Sequence, residues 1–334
     1  MKPLWETKIL VYCVAALWLG LTISFAQPQS SRTSTAQSYL ERGNQWMAKR
    51  ELDKAIADFD LAVASAPELD GAYYNRGIAR GLKGNLEGAM SDFDRAIKLN
   101  PRLIEAYVDR GSIKSFLGDW EGAFRDNSKA IELDPRLSEA WHNRGMARFR
   151  QGALTEALAD LNQAVRLNPK RAESYGSRGA IKFQLRDYDG AIADYSQELK
   201  LTPANSQSWS DRGSALAAKS EWDRAFKDFN QAITLNPHLA LAYFGRAAVW
   251  KEKGNWEQAM SDYDRCLEND PKFADAFAQR GLCRLRQGKD AAAQEDFDEC
   301  LRLQPALRDS LEKEINKVKE GKKLRIGGDE KPLV

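Results

Sequence analysis

Two histidines, His142 and His238, and three cysteines, Cys266, Cys283 and Cys300, are the side chains best suited to nucleophilic or metal chemistry beyond the N-terminal apolar stretch of this 334-residue chain. No Cys/His spacing suits zinc, and no glycine-rich phosphate loop follows a strand-like run. Catalysis needs polar groups converging on one cavity, and nothing here supplies them. The sequence therefore gives no catalytic residue, no metal set and no cofactor site, and an enzyme is not expected. The cysteines follow one another at 17-residue steps, and an odd number leaves one unpaired. Cys266 and Cys300 fall in the slot that Ala62, Ala96, Ala130, Ala164 and Ala232 fill elsewhere, which reads as small buried thiols. A Cys266–Cys283 disulfide is the alternative in an oxidising compartment.

What the chain does repeat is charge. Arginine recurs at Arg42, Arg76, Arg110, Arg144, Arg178, Arg212, Arg246 and Arg280, always 34 residues after the last. Aspartate keeps the same step from Asp58 through Asp92, Asp126, Asp160, Asp194, Asp228, Asp262 and Asp296, and so does proline from Pro67 to Pro305. Each arginine precedes its aspartate by 16 residues. An ion pair bridging two elements of one unit satisfies both charges, and a ligand-binding charge ladder is the rival reading. Eight copies fill residues 36–307, each too small to bury its apolar face except against its neighbours.

Within one copy the spacing predicts two short amphipathic helices. Ala72 to Lys83 carries Tyr73, Gly77 and Arg80 at helical intervals, and Leu86 to Leu99 resumes with Ala89, Phe93, Ala96 and Ile97. Gly84 suits the left-handed residue that ends a helix, Asn85 the cap of the next, and Gly118-Asp119 and Gly254-Asn255 repeat the device. Asn100-Pro101 stops the second helix, because proline lacks the N–H and disfavours a helical residue before it.

An aromatic (Tyr73), Gly77, Ala89, Phe93, Ala96 and Pro101 in a 34-residue frame resemble the tetratricopeptide repeat, over residues 36–307. Ala247 stands for the glycine, Asn127 and Leu161 for the second-helix aromatic, and Glu198 for a packing alanine. The resemblance implies an all-α, right-handed superhelical solenoid of eight helix-turn-helix repeats. Its first helices would line a concave groove that binds protein or peptide. The same geometry would place Tyr74, Val108, His142, Gly176, Ser210, Phe244 and Ala278 in one groove-facing column. Phe149 and Phe183 would follow one turn on, with Phe116 beside them. Asn75 and Asn143 stand next to the column, with Asp109 and Asp211 in the equivalent slots. The candidate groove residues are thus Tyr74, Asn75, Phe116, His142, Asn143, Phe149, Phe183 and Phe244. Packing between neighbouring helices is the alternative role for the rings. Repeat proteins that grip acidic chaperone tails carry cations near the start of their first helices. This chain has Glu105, Glu139, Glu173 and Asp275 there, which argues against such a ligand and leaves a basic one open.

Fifty basic and 48 acidic residues nearly cancel, so no overall field attracts nucleic acid, and no nucleic-acid partner is expected. Ile9 to Ala26 is uncharged, preceded by Lys2 and Lys8, and ends in small residues. Residues 1–26 read as a secretory signal or, uncleaved, as a membrane anchor. Either way the repeats lie outside the cytoplasm, periplasmic or secreted, and any membrane contact runs through residues 9–26. Residues 27–35 read as a linker, 308–320 as a helix capping the last open apolar face, and 321–334 as a disordered tail. The sequence thus describes an exported, non-catalytic adaptor or scaffold for a protein or peptide ligand, with self-association left open. A membrane-anchored envelope assembly or transport factor, or the accessory subunit of a separate enzyme, are the alternatives.

Overall fold

The computed structural model describes residues 30–326, with side chains over 34–320, and its regular elements are all helical. The segment read as a signal or anchor lies outside the described residues, as does the chain beyond 326. Helices α1 (Ser30–Ala48) and α2 (Leu52–Ser65), α3 (Asp70–Leu82) and α4 (Leu86–Leu99), α5 (Ile104–Leu117) and α6 (Trp120–Leu133), and α7 (Ser138–Arg150) and α8 (Leu154–Leu167) form four consecutive hairpins. The series continues with α9 (Ala172–Gln184) and α10 (Tyr188–Leu201), α11 (Ser206–Ala218) and α12 (Trp222–Leu235), α13 (Ala240–Glu252) and α14 (Trp256–Asn269), and α15 (Ala274–Arg286) and α16 (Asp290–Leu303). A 3-10 turn at Pro305–Leu307 leads into α17 (Arg308–Ile326). The chain divides into two compact units, one ending at Ser174 in the first turn of α9 and the other beginning at Tyr175.

Both outer helices are longer than the sequence suggests. The stretch expected as a linker over 27–35 is helical from Ser30, because no proline or glycine interrupts it and Ala36 and Leu40 anchor it in the core. At the other end α17 runs through Gly321 to Ile326, past the expected start of the tail. A single glycine costs a helix only about 1 kcal/mol.

The corners follow the expected chemistry with one exception. Gly84, Gly118 and Gly254 adopt φ of 82°, 84° and 77°, the left-handed region where a side chain is strained. Asn85 and Asp119 accept hydrogen bonds from the N–H of Gly88 and Gly122, but Asn255 caps nothing with its side chain. Asn100 is extended ahead of Pro101, as the proline ring requires.

Inside each hairpin the small residues admit an aromatic ring. A Cβ on Gly77 would lie 2.7 Å from the Phe93 ring, so the two helices close only around glycine. Asn127 and Leu161 are fully buried in the aromatic slot. Asn127 donates to the Ala123 carbonyl at 2.8 Å while its Oδ1 finds no partner. Glu198 is buried in the alanine slot, and Gly176 makes room for it, since a Cβ there would meet the carboxylate at 2.5 Å. Cys266, Cys283 and Cys300 are buried free thiols packed in the core, not a disulfide.

The arginine and aspartate columns meet as ion pairs. In unit one Arg42, Arg76, Arg110 and Arg144 each donate Nε and Nη2 to one carboxylate, that of Asp58, Asp92, Asp126 and Asp160. In unit two Arg178, Arg212, Arg246 and Arg280 do the same to Asp194, Asp228, Asp262 and Asp296. None of these aspartates is more than 5% exposed. Nη1 of Arg76, Arg110 and Arg280 reaches back to Asp60, Asp94 and Asp264 of the preceding hairpin. Each arginine also lies over the aromatic three residues before it, as Arg144 does over Trp141 with 4.7 Å to the ring centroid. One side chain thus ties two helices of its own hairpin and, at these positions, the hairpin before.

Candidate functional site

The first helices of successive hairpins meet through polar side chains at repeat spacing. In unit one Asn75 donates from Nδ2 to Asn44 Oδ1 at 2.8 Å, joining α3 to α1. The Tyr74 hydroxyl donates to Asp109 Oδ2 at 2.9 Å, joining α3 to α5, and Asn143 Nδ2 reaches Ser112 Oγ at 3.4 Å, joining α7 to α5. His142 Nδ1 lies 3.1 Å from Ser174 Oγ at the start of α9. These residues form one first-helix face because positions 31 to 35 apart in sequence fall side by side on neighbouring first helices.

The candidate residues divide between packing and display. Tyr74 packs on Phe93 with ring centroids 5.7 Å apart, and His142 is 8% exposed, so both are built into the wall. Phe116 and Phe149, in the last turns of α5 and α7, are half-buried. In unit two Phe183 packs on Tyr188 at 5.4 Å, and Phe244 lies between Phe273 at 4.8 Å and Tyr263 at 5.7 Å. Phe183 and Phe244 therefore belong partly to the core, and the structure joins Tyr74, Asn75, His142 and Asn143 to neighbouring hairpins through hydrogen bonds.

Electrostatics single out a residue that the sequence reading placed only in passing. Burial pushes the Asp109 carboxyl up to about 8, with the Tyr74 hydrogen bond opposing and the charges of Glu139 and Glu105 adding to the rise. Burial raises Glu139 as well, against the pull of Arg171, and it drives His142 well below its ordinary value with Arg171 contributing. The Arg171 guanidinium sits 3.9 Å from Glu139 and 4.0 Å from Glu173, and its buried Nε has no hydrogen-bond partner. In unit two burial raises Asp211 to about 6, opposed by Gln207, which donates to it at 2.8 Å. Arg171 was missed in sequence because it lies just before a helix. The 35-residue step between Tyr74 and Asp109 was the signal that could have paired them.

Among the described residues no group of three or more His, Cys, Asp or Glu side chains could hold a metal ion, and no helix is long and apolar enough to cross a membrane. The face offers hydrogen-bonding groups and half-buried rings at regular intervals, which suits recognition of another chain. Sequence profiles described as tetratricopeptide repeat match residues 70–103, 138–171, 178–249 and 251–307. The chain belongs to the tetratricopeptide repeat family. No curated protein sequence matches it. Among solved structures it resembles a tetratricopeptide repeat protein from Parabacteroides merdae, at 16% identity and a TM-score of 0.57, covering 80% of this chain and 99% of that one. It resembles PilF of Pseudomonas aeruginosa at 16% identity and TM-score 0.57, covering 64% and 97%. A chain of the APC/C hetero-tetramer Cut9–Hcn1 gives 15% identity and TM-score 0.62, covering 87% and 57%. At such identities these likenesses establish the repeat fold alone.

Proposed function

We propose that this tetratricopeptide repeat protein is an exported, non-catalytic adaptor that binds a protein or peptide segment along its first-helix face. The observation that carries this reading is the row of polar side chains joining α1, α3, α5 and α7, which presents a prearranged surface. A surface held in place by its own hydrogen bonds loses little ordering entropy on binding. Export rests on the uncharged stretch Ile9 to Ala26 behind Lys2 and Lys8.

The same stretch supports a second reading, a membrane-anchored envelope assembly or transport factor. The deciding experiment is affinity capture of the full chain from its native envelope, with mass spectrometry of partners and of the N-terminus. A protein partner with a mature start at Gln27 is the expected result. An intact Met1 with membrane components captured would favour the anchored factor, and an obligate enzyme as partner would make the chain its accessory subunit. Phe149→Glu, on the displayed end of α7, is expected to abolish capture while the helical circular-dichroism spectrum is retained. Loss of fold together with binding would assign Phe149 to the core instead.

A further inference from the structure

We propose that two copies of this chain pair through α17, each laying its capping helix antiparallel to that of the other over a groove between α16 and α17. This surface is separate from the first-helix face, so the adaptor reading does not depend on it.

The groove exists because the capping helix sits unlike the start of a further repeat. In unit two α10 packs on α11, α12 on α13 and α14 on α15, so each of these junctions between a second helix and the next first helix is closed. Helix α17 packs chiefly on α15 instead, and a cleft of about 620 Å³ stays open between it and α16. Phe297 and Leu311 are buried at its floor, and Leu301 and Ile315 stand half-buried on its walls. Apolar walls open to water favour a cover, and the cover has to match the polar rim around them.

Charge on that rim points to a second copy as the cover. Asp298 of α16 accepts the Gln294 amide at 2.8 Å and meets no cation, and Lys319 of α17 meets no acid, among the described residues. The rim thus carries an unmatched charge of each sign. A foreign partner would have to supply both signs, whereas a second copy turned about a two-fold axis supplies them at once, Lys319 of one copy to Asp298 of the other and the reverse. The same turn closes Leu301 and Ile315 of one copy under α17 of the other. The helix repeats the asymmetry along its length: Asp309, Glu312 and Glu314 outnumber Arg308 and Lys313 in its first turns, and Lys317, Lys319, Lys322, Lys323 and Arg325 outnumber Glu320 in the rest. Two such helices side by side in parallel set like ends together. Antiparallel, as a two-fold axis perpendicular to them requires, they set acidic turns against basic ones.

The test mixes the full chain grown in ordinary and in heavy nitrogen, joins neighbouring carboxylates and amines with a zero-length carbodiimide, and identifies the linked peptides by mass spectrometry. Peptides linking Asp298 of one isotope to Lys319 of the other are expected, with a yield that falls as salt screens the pairs. Asp298→Lys and Lys319→Asp each set like charges face to face and are expected to weaken self-association about ten-fold or more in sedimentation. The two variants mixed are expected to pair again, because the mixture restores both contacts. Both side chains are exposed, so each variant is expected to keep the helical circular-dichroism spectrum. Linked peptides of a single isotope only would place the contact within one chain and overturn the pairing, as would a chain that yields none. Association that ignores both substitutions and their mixing, as contact through residues 9–26 would, overturns it as well.

Discussion

Among the arginines, depth in the array sets the worth of an identical bond. Arg76 and Arg42 make the same two-point contact with their aspartates, but the Arg76 side chain is 12% exposed and that of Arg42, at the open end, is 53% exposed. Replacing Arg76 with alanine removes the two-point grip on buried Asp92, which keeps Arg80 as a partner at 2.8 Å, and is expected to cost about 1–3 kcal/mol. Arg42→Ala is expected to cost less, because water already reaches the Arg42 guanidinium and Trp46 Nε1 still donates to Asp58 at 3.0 Å. Urea denaturation of the two variants checks the contrast, and equal losses would show that the pairs carry no depth-dependent stability. Asp109 gives the opposite kind of charge. Its folded-state carboxyl titrates near 8, above the ordinary aspartate value, so the folded state holds its proton longer than the unfolded state does. Stability from this group is therefore fully present below about 4 and is lost as pH rises towards about 8. Asp109→Asn is expected to flatten that part of the pH profile measured by thermal unfolding, with Tyr74, Glu105, Glu139, His142 and Arg171 unchanged around it.

Helices and corners carry a separate set of consequences. The turn between the helices of a hairpin needs a left-handed residue, supplied by glycine at Gly84, Gly118, Gly152, Gly254 and Gly288. Arg50, Arg186 and Ser220 take the same conformation with φ of 58°, 62° and 61°, which costs a side-chain-bearing residue about 1 kcal/mol. Ser220→Gly is expected to raise stability by up to about that amount, read as an upward shift in melting temperature. The reverse holds where glycine admits a ring. Gly77→Ala would press a methyl group into Phe93 and is expected to destabilise by about 1–3 kcal/mol, the range for overpacking a tight core. The missing side-chain cap at Asn255 could not be read in sequence, because Asn85 and Asn255 occupy the same slot after the same glycine and only the local geometry separates them.

At the scale of the whole molecule, the hairpins within each unit lend their apolar faces to one another, so the last hairpin of unit two needs a cover. In unit two Leu311 of α17 is 4% exposed and completes a core with Leu282, Leu285, Phe297 and Cys300, while Leu307, Ile315 and Val318 pack around it. Removing the chain from Arg308 onward is expected to uncover that face, lower the melting temperature and promote association, as seen by calorimetry and light scattering. Hydrogen exchange in the full chain is expected to be slowest in interior hairpins and faster in α1 and α17, because one-dimensional arrays open from their ends.

The period, the helical hairpin and the family resemblance could be read from the residues alone, and the 16-residue step favoured pairing of the arginine and aspartate columns. Each of these depends on residues within one 34-residue copy, or on the copy repeating in register. The sequence could not decide which polar side chains meet between copies, because that depends on how neighbouring first helices lie side by side. Tyr74 and His142 were readable as groove candidates, but it was not readable that Tyr74 bonds Asp109 or that His142 lies against Ser174. Nor could it choose between thiol and disulfide for Cys266 and Cys283, which burial in a packed core resolves as free thiols. The Tyr74 bond to the half-buried Asp109 became visible in three dimensions alone, since it depends on how α3 and α5 lie side by side and not on either residue.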